Sequence, residues 1–260
     1  MNQLPGATLS EFIFVVDDFD NRLKEIIAKI AESPKVRHRR RGQLSDCGLD
    51  IVNCALSFYK VHADAAFWQQ DDTAMVTKTF TGGPSWLPTR VRSERIKNHL
   101  DDSARSLVVG YKSLLFFFRT FQDAAHAVML ELTGHKSGMN STMSACVKNP
   151  KAPVYKIITE IPEYVDWFSK MRAQRNEIKG GIGFAIVGPQ WDVGVGFVEI
   201  TDDNAMILRQ DQLHIKDLVQ SVEYSHKLLD AMAALLAVST EPAAATSTSP
   251  TDVPRLDQVP

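Results

Sequence analysis

Apolar residues recur at helical spacing through most of the chain. Phe19, Leu23, Ile26, Ile27 and Ile30 predict a helix over 12–31, ended by Ser33-Pro34. Val52, Leu56, Tyr59, Ala63 and Phe67 predict a second over 49–67. A less regular stretch, 69–88, carries a turn at Gly82-Gly83-Pro84 and a short candidate strand over 77–81. The longest pattern runs over 93–132. Leu107, Val108, Tyr111, Leu114, Leu115, Phe118, Phe121, Ala125, Val128, Met129 and Leu132 form a broad stripe, which predicts a central helix of a bundle. Gly134 stands where a left-handed glycine would end it, and a loop leads on to Pro150 and Pro153. Pro162 fits the first position of a helix that reaches Lys179 before Gly180-Gly181. The texture then changes to three short strands, 183–187, 193–200 and 205–208, with turns at Gly188-Pro189 and Asp202-Asp203-Asn204. Asp211 is placed to cap a last helix over 212–237. No internal repeat is found.

These elements predict a mainly α fold: a helical bundle with a small antiparallel β-hairpin or three-stranded insertion. One domain is expected over 1–238. It comprises a helical extension over 1–92 and a core over 93–238, with the β insertion at 183–208. The last stretch, STEPAAATSTSPTDVPRLDQVP over 239–260, has no aromatic and many small polar residues. It cannot bury enough apolar area to offset chain entropy, so a disordered tail is expected.

Composition narrows the class without naming an activity. Of 260 residues 44% are hydrophobic and 23% charged, which excludes a wholly disordered or collagen-like chain. The net charge of -2 removes any global demand for a polyanionic partner. Cys47, Cys54 and Cys146 form no CxxC pair and read as small packing residues in a reducing compartment. No metal or other cofactor is expected, because Cys and His do not fall at ligand spacing. Residues 1–19 hold no Lys or Arg, and the apolar run 107–118 is interrupted by Lys112 and is shorter than the ~20 residues of a spanning helix. A cytoplasmic protein with no membrane partner is expected. The glycines of GIGFAIVGPQWDVGVGF alternate inside strands, with no GK[ST] following, so they do not form a phosphate loop. Ser141, Ser144 and Cys146 have no base nearby in the sequence. The pairs Asp17-Asp18, Asp71-Asp72, Asp101-Asp102 and Asp202-Asp203 read as caps and turns, and the four tryptophans as packing residues.

One helix draws the chemistry. In WFSKMRAQRNEIKGG and the residues before it, Tyr164, Phe168, Met171, Arg175 and Ile178 share a face. Arg175 then lies on an apolar stripe, where a guanidinium needs an acceptor. Asn176 points to the stripe's edge. On the long helix Arg119, Asp123 and His126 form a polar strip at i, i+4, i+7. Three readings stay open: an exposed Arg119–Asp123 pair, a buried link from Arg175 to Asp123, or a catalytic or ligand site.

An aromatic pair, then Arg-Asn, then a glycine-rich step into strands resembles the HEPN superfamily, over about 93–237. The resemblance implies a helical bundle and, in active members, metal-independent endoribonuclease activity. There an Arg stabilises phosphate charge and a His a few residues on moves the proton. Arg175 and Asn176 match the Arg and its polar neighbour. Where the His is due the chain reads Gly180-Gly181. The resemblance therefore implies the fold and an RNA-linked role without cleavage, in the setting of a bacterial defence or stress system. It also implies a homodimer. Cleavage by Arg175 and Asn176 with a non-standard base such as His126 is the alternative, and a structural module that binds only a protein partner is a third.

Lys35, Arg37, His38, Arg39, Arg40 and Arg41 form the one dense basic cluster. It follows a helix stop and reads as a loop. Arg37, Arg39, Arg40 and Arg41 are its candidate nucleic-acid contacts, because such a run can neutralise several phosphates. The plainer reading is a solvated, mobile loop.

Overall fold

The computed structural model describes residues 7–69, 94–138, 142–179, 183–187, 194–200 and 206–240. Its helices are α1 (Ala7–Glu32), α2 (His38–Gln69), α3 (Glu94–Leu132), α4 (Met143–Cys146), α5 (Tyr155–Thr159), α6 (Tyr164–Lys179) and α7 (Ile215–Thr240). Between α6 and α7 run β1 (Gly183–Val187), β2 (Gly194–Ile200) and β3 (Met206–Leu213), antiparallel in the order β1-β2-β3. The described chain is mainly helical, as the periodicity predicts.

The four long helices pack in a ring, α1 on α2, α2 on α3, α3 on α7 and α7 back on α1. Aromatic edges tie the ring together. The Phe19 and Phe121 rings meet edge-on at 5.3 Å, Phe58 meets Tyr111 at 4.9 Å, and Phe12 meets Phe58 at 5.8 Å. The α3 stripe is buried along its length, from Leu107 to Leu132, which makes α3 the central element. At its end Gly134 takes φ 81, the His135 N–H donates to the Leu130 carbonyl at 2.8 Å, and the Gly134 N–H to Glu131 at 3.0 Å. This is the paired-bond cap that a glycine at this position allows.

Several boundaries differ from the sequence expectation, each for a physical reason. Helix α2 begins eleven residues before the predicted 49, so His38, Arg39, Arg40 and Arg41 of the basic cluster form its first turn, while Lys35 and Arg37 stay in the connection before it. Gly42 and Gly48 hide this start, since glycine is a poor helix former. Gly48 serves close packing: a Cβ there would lie 2.4 Å from Leu23 Cδ2. Helix α6 starts at Tyr164, two residues after Pro162, because Glu163 takes φ 60 and breaks the turn. Helix α7 starts at Ile215, not 212. Its cap is not Asp211, which lies in β3; Asp217 accepts from the His214 N–H at 2.9 Å. The expected loop from 137 to 153 holds α4, capped by the Thr142 hydroxyl at 3.2 Å from the Ala145 N–H. The candidate strand 77–81, the turns at 82–84, 188–189 and 202–204, Gly180-Gly181 and the tail from 241 lie outside the described residues. Among the described residues no helix is long and apolar enough to cross a membrane.

Candidate functional sites at the α3–α6 seam and the α2 amino terminus

The polar strip of α3 does face α6. The Arg119 guanidinium lies over the Phe168 ring at 5.4 Å and forms an ion pair with Asp123. Asp123 also accepts from the Met143 N–H at 2.8 Å, so it caps α4. Phe168 stacks on Tyr164 at 6.1 Å. Tyr164 is fully buried and its hydroxyl has no hydrogen-bond partner; burial pushes its pKa well above the ordinary value, against the opposing pull of Arg119. His126 is buried on the same strip.

Arg175 does not join this group. Tyr164, Phe168 and Met171 are buried, but Arg175 is only half-buried and Asn176 is exposed. The Arg175 guanidinium lies over the ring of Phe116 at 5.9 Å and donates to Asn176 Oδ1 at 3.4 Å. Phe116 is itself 48% exposed while Leu114 and Leu115 beside it are buried, so Arg175 rests at the side of the core and not inside it. Asp123 is taken by Arg119, and no ion pair joins it to Arg175 among the described residues. Of the readings left open by the sequence, the Arg119–Asp123 pair forms, and in place of a link to Asp123 the Arg175 cation rests on an aromatic ring. Ten residues of α3 separate Phe116 from His126, about 15 Å of helix.

The second site is at the other end of the bundle. Arg37 ends the α1–α2 connection and Glu131 lies in the last turn of α3, 5% exposed. Glu131 Oε2 accepts from the Arg37 backbone N–H at 2.9 Å, and Oε1 from Arg37 Nε at 2.7 Å; Arg37 Nη2 donates to the same oxygen. The Ser137 hydroxyl donates to Oε1 at 2.7 Å and accepts from Arg37 Nη2 at 2.8 Å and Arg40 Nε at 2.9 Å. One carboxylate therefore anchors two arginines, a serine and the start of α2. It also offsets the cost of cations at a helix amino terminus, where the backbone is already positive. Burial pushes the Glu131 carboxyl up, but the hydrogen bonds from Arg37 and Ser137 outweigh it and leave it below the ordinary 4.5.

Of the predicted nucleic-acid contacts, Arg37 and Arg40 are thus held by Glu131 and Ser137. Arg39 is exposed, and Arg41 bonds His38 at 2.6 Å. A depression of about 580 Å³ opens beside Arg37, between Lys35 and Arg37 on one side and His135, Lys136 and Ser137 on the other. Among the described residues lining it, Glu131 is the one acid.

Glu131, Ser137 and Lys136 did not stand out in the sequence. The available signal was a carboxylate at i+7 from Ala124 and i+4 from Ala127, on a face of small residues that packs closely. Its partner lies 94 residues away and no spacing rule connects them. Cys47 and Cys54 are half-buried and Cys146 buried; burial raises the Cys54 and Cys146 thiols to about 11, which suits packing residues. Among the described residues no group of three or more His, Cys, Asp or Glu could hold a metal. Comparison of the chain with protein-family models, with curated proteins and with solved structures finds no match.

Proposed function

We propose that this chain is a non-catalytic, HEPN-like helical protein that binds RNA through the basic end of its bundle. In this reading the three strands are an insertion between the last two core helices. The observation that carries it is the gathering of Lys35, Arg37 and Lys136 around one depression where Glu131, the one carboxylate among its described lining residues, is already paired with Arg37, while Arg39, Arg40 and Arg41 follow Arg37 in the adjoining first turn of α2. A near-neutral chain that concentrates cations at one place presents a local anion site, and the sugar–phosphate backbone is the abundant ligand of that charge density. The half-buried position of Arg175 on the Phe116 ring and its distance from His126 support binding without cleavage.

The test uses the full chain and end-labelled single-stranded RNA. The RNA is expected to stay full length and to bind with an affinity that falls steeply with salt. Changing Arg39 and Arg41 together to alanine should weaken binding further. Shortened RNA that disappears with Arg175→Ala would reject the non-catalytic reading. Affinity indifferent to salt and to both arginines would reject RNA binding at this end.

A further inference from the structure

We propose that the depression beside α2 is a pocket for a terminal phosphomonoester of RNA, with Glu131 acting as the positioning residue for its arginines. This rests on the RNA-binding reading above and adds where on the RNA the contact falls.

The shape is the first argument. A surface that tracks the interior of a strand is a groove along which successive phosphates lie. Here Lys35, Arg37 and Lys136 line one concavity of about 580 Å³, bounded by the α1–α2 connection and the chain that leaves α3. That volume is within the range of small-ligand pockets, about 300–1,000 Å³. It accommodates one end of a chain.

The donors are the second argument. Arg37 is fixed through Nε and Nη2, while no described residue accepts from its Nη1 and its side chain is 61% exposed. Lys35 and Lys136 are exposed and form no ion pair with any described residue. A group that is anchored on one edge and open on the other is prepared to receive an anion at no further ordering cost. A phosphomonoester carries about -1.5 to -2 charge, against -1 for an internal diester, so this cluster favours the end over the interior.

Glu131 makes the proposal sharp. Counted only as a charge, it opposes anion binding and its removal should tighten the complex. Counted as the clamp that aims Arg37 and Arg40, its removal should loosen it. The geometry points to the clamp, because both arginines and Ser137 converge on the one Oε1 or its bonded hydroxyl.

The experiment measures fluorescence anisotropy of a short, internally labelled RNA with a 5′-phosphate, a 3′-phosphate or hydroxyls at both ends. Wild-type protein is expected to hold one phosphorylated form about tenfold more tightly than the hydroxyl form. Inorganic phosphate should compete that preference away. Glu131→Gln should abolish most of it, Glu131→Asp restore part, and Ser137→Ala reduce it, with thermal melting checking that each variant is folded. Lys136→Ala, on an exposed side chain, gives the same reading without touching the clamp. Equal affinity for all three ends, with RNA still bound, overturns this inference and leaves the RNA reading standing. Tighter binding by folded Glu131→Gln overturns the positioning role. No binding of any form overturns both readings.

Discussion

Replacing Glu131 with alanine removes the acceptor of four hydrogen bonds at once: Nε, Nη2 and the backbone N–H of Arg37, and the Ser137 hydroxyl. Hydrogen bonds to a charged group contribute about 1.5–3 kcal/mol each, but that sum overstates the loss. The Arg37 side chain is 61% exposed and can return to water, which leaves little net cost for its two bonds. The Ser137 hydroxyl and the α2 backbone cannot recover so freely. A destabilisation of about 2–3 kcal/mol follows, or roughly 5–10 °C in melting temperature for a chain of this size. The sign with pH is also fixed. The folded carboxyl titrates below its ordinary 4.5, so its contribution is complete above the unfolded value and is lost as pH falls through the lower folded one. Urea denaturation of wild type and Glu131→Ala at neutral pH and in a series of acid buffers measures the gap. It should hold steady down to the ordinary carboxylate range and close below it. A gap under about 1 kcal/mol at neutral pH, or one that does not narrow in acid, refutes the clamp.

Two further substitutions test the packing. Gln122 is fully buried with neither amide atom partnered, so Gln122→Leu should stabilise the chain by about 1–3 kcal/mol in urea denaturation, and a loss of stability would show that the amide is satisfied. A Cβ at Gly110 would lie 2.8 Å from the Phe58 ring, so Gly110→Ala should cost about 1–2 kcal/mol even after the gain in helix propensity, and a neutral or raised melting temperature would contradict the tight α2–α3 seam.

The helical class, the central α3 and the Gly134 cap were legible because each rests on local pattern. The stripe from Leu107 to Leu132 has one period, and the glycine stands where a left-handed residue is needed. The start of α2 was not legible, since Gly42, Gly48 and a run of arginines argue against a helix that tertiary contacts impose. Arg175 shows what periodicity lacks. It gave the direction of the side chain along the Tyr164–Phe168–Met171 face but not the depth, and α6 passes the edge of the core at Phe116. The clamp at Glu131 joins segments far apart in sequence, so the basic cluster could be found but not the two arginines that the fold holds in place.

The salt dependence of RNA affinity tests the central claim most directly. Five exposed or half-open cations, Lys35, Arg37, Arg39, Arg41 and Lys136, set a slope of log affinity against log salt of roughly -3.5 for a single strand. Changing Arg39, Arg41 and Lys136 together to alanine should reduce that slope in magnitude by about 2. A slope that the triple variant leaves unchanged would place the RNA, if it binds, elsewhere on the molecule.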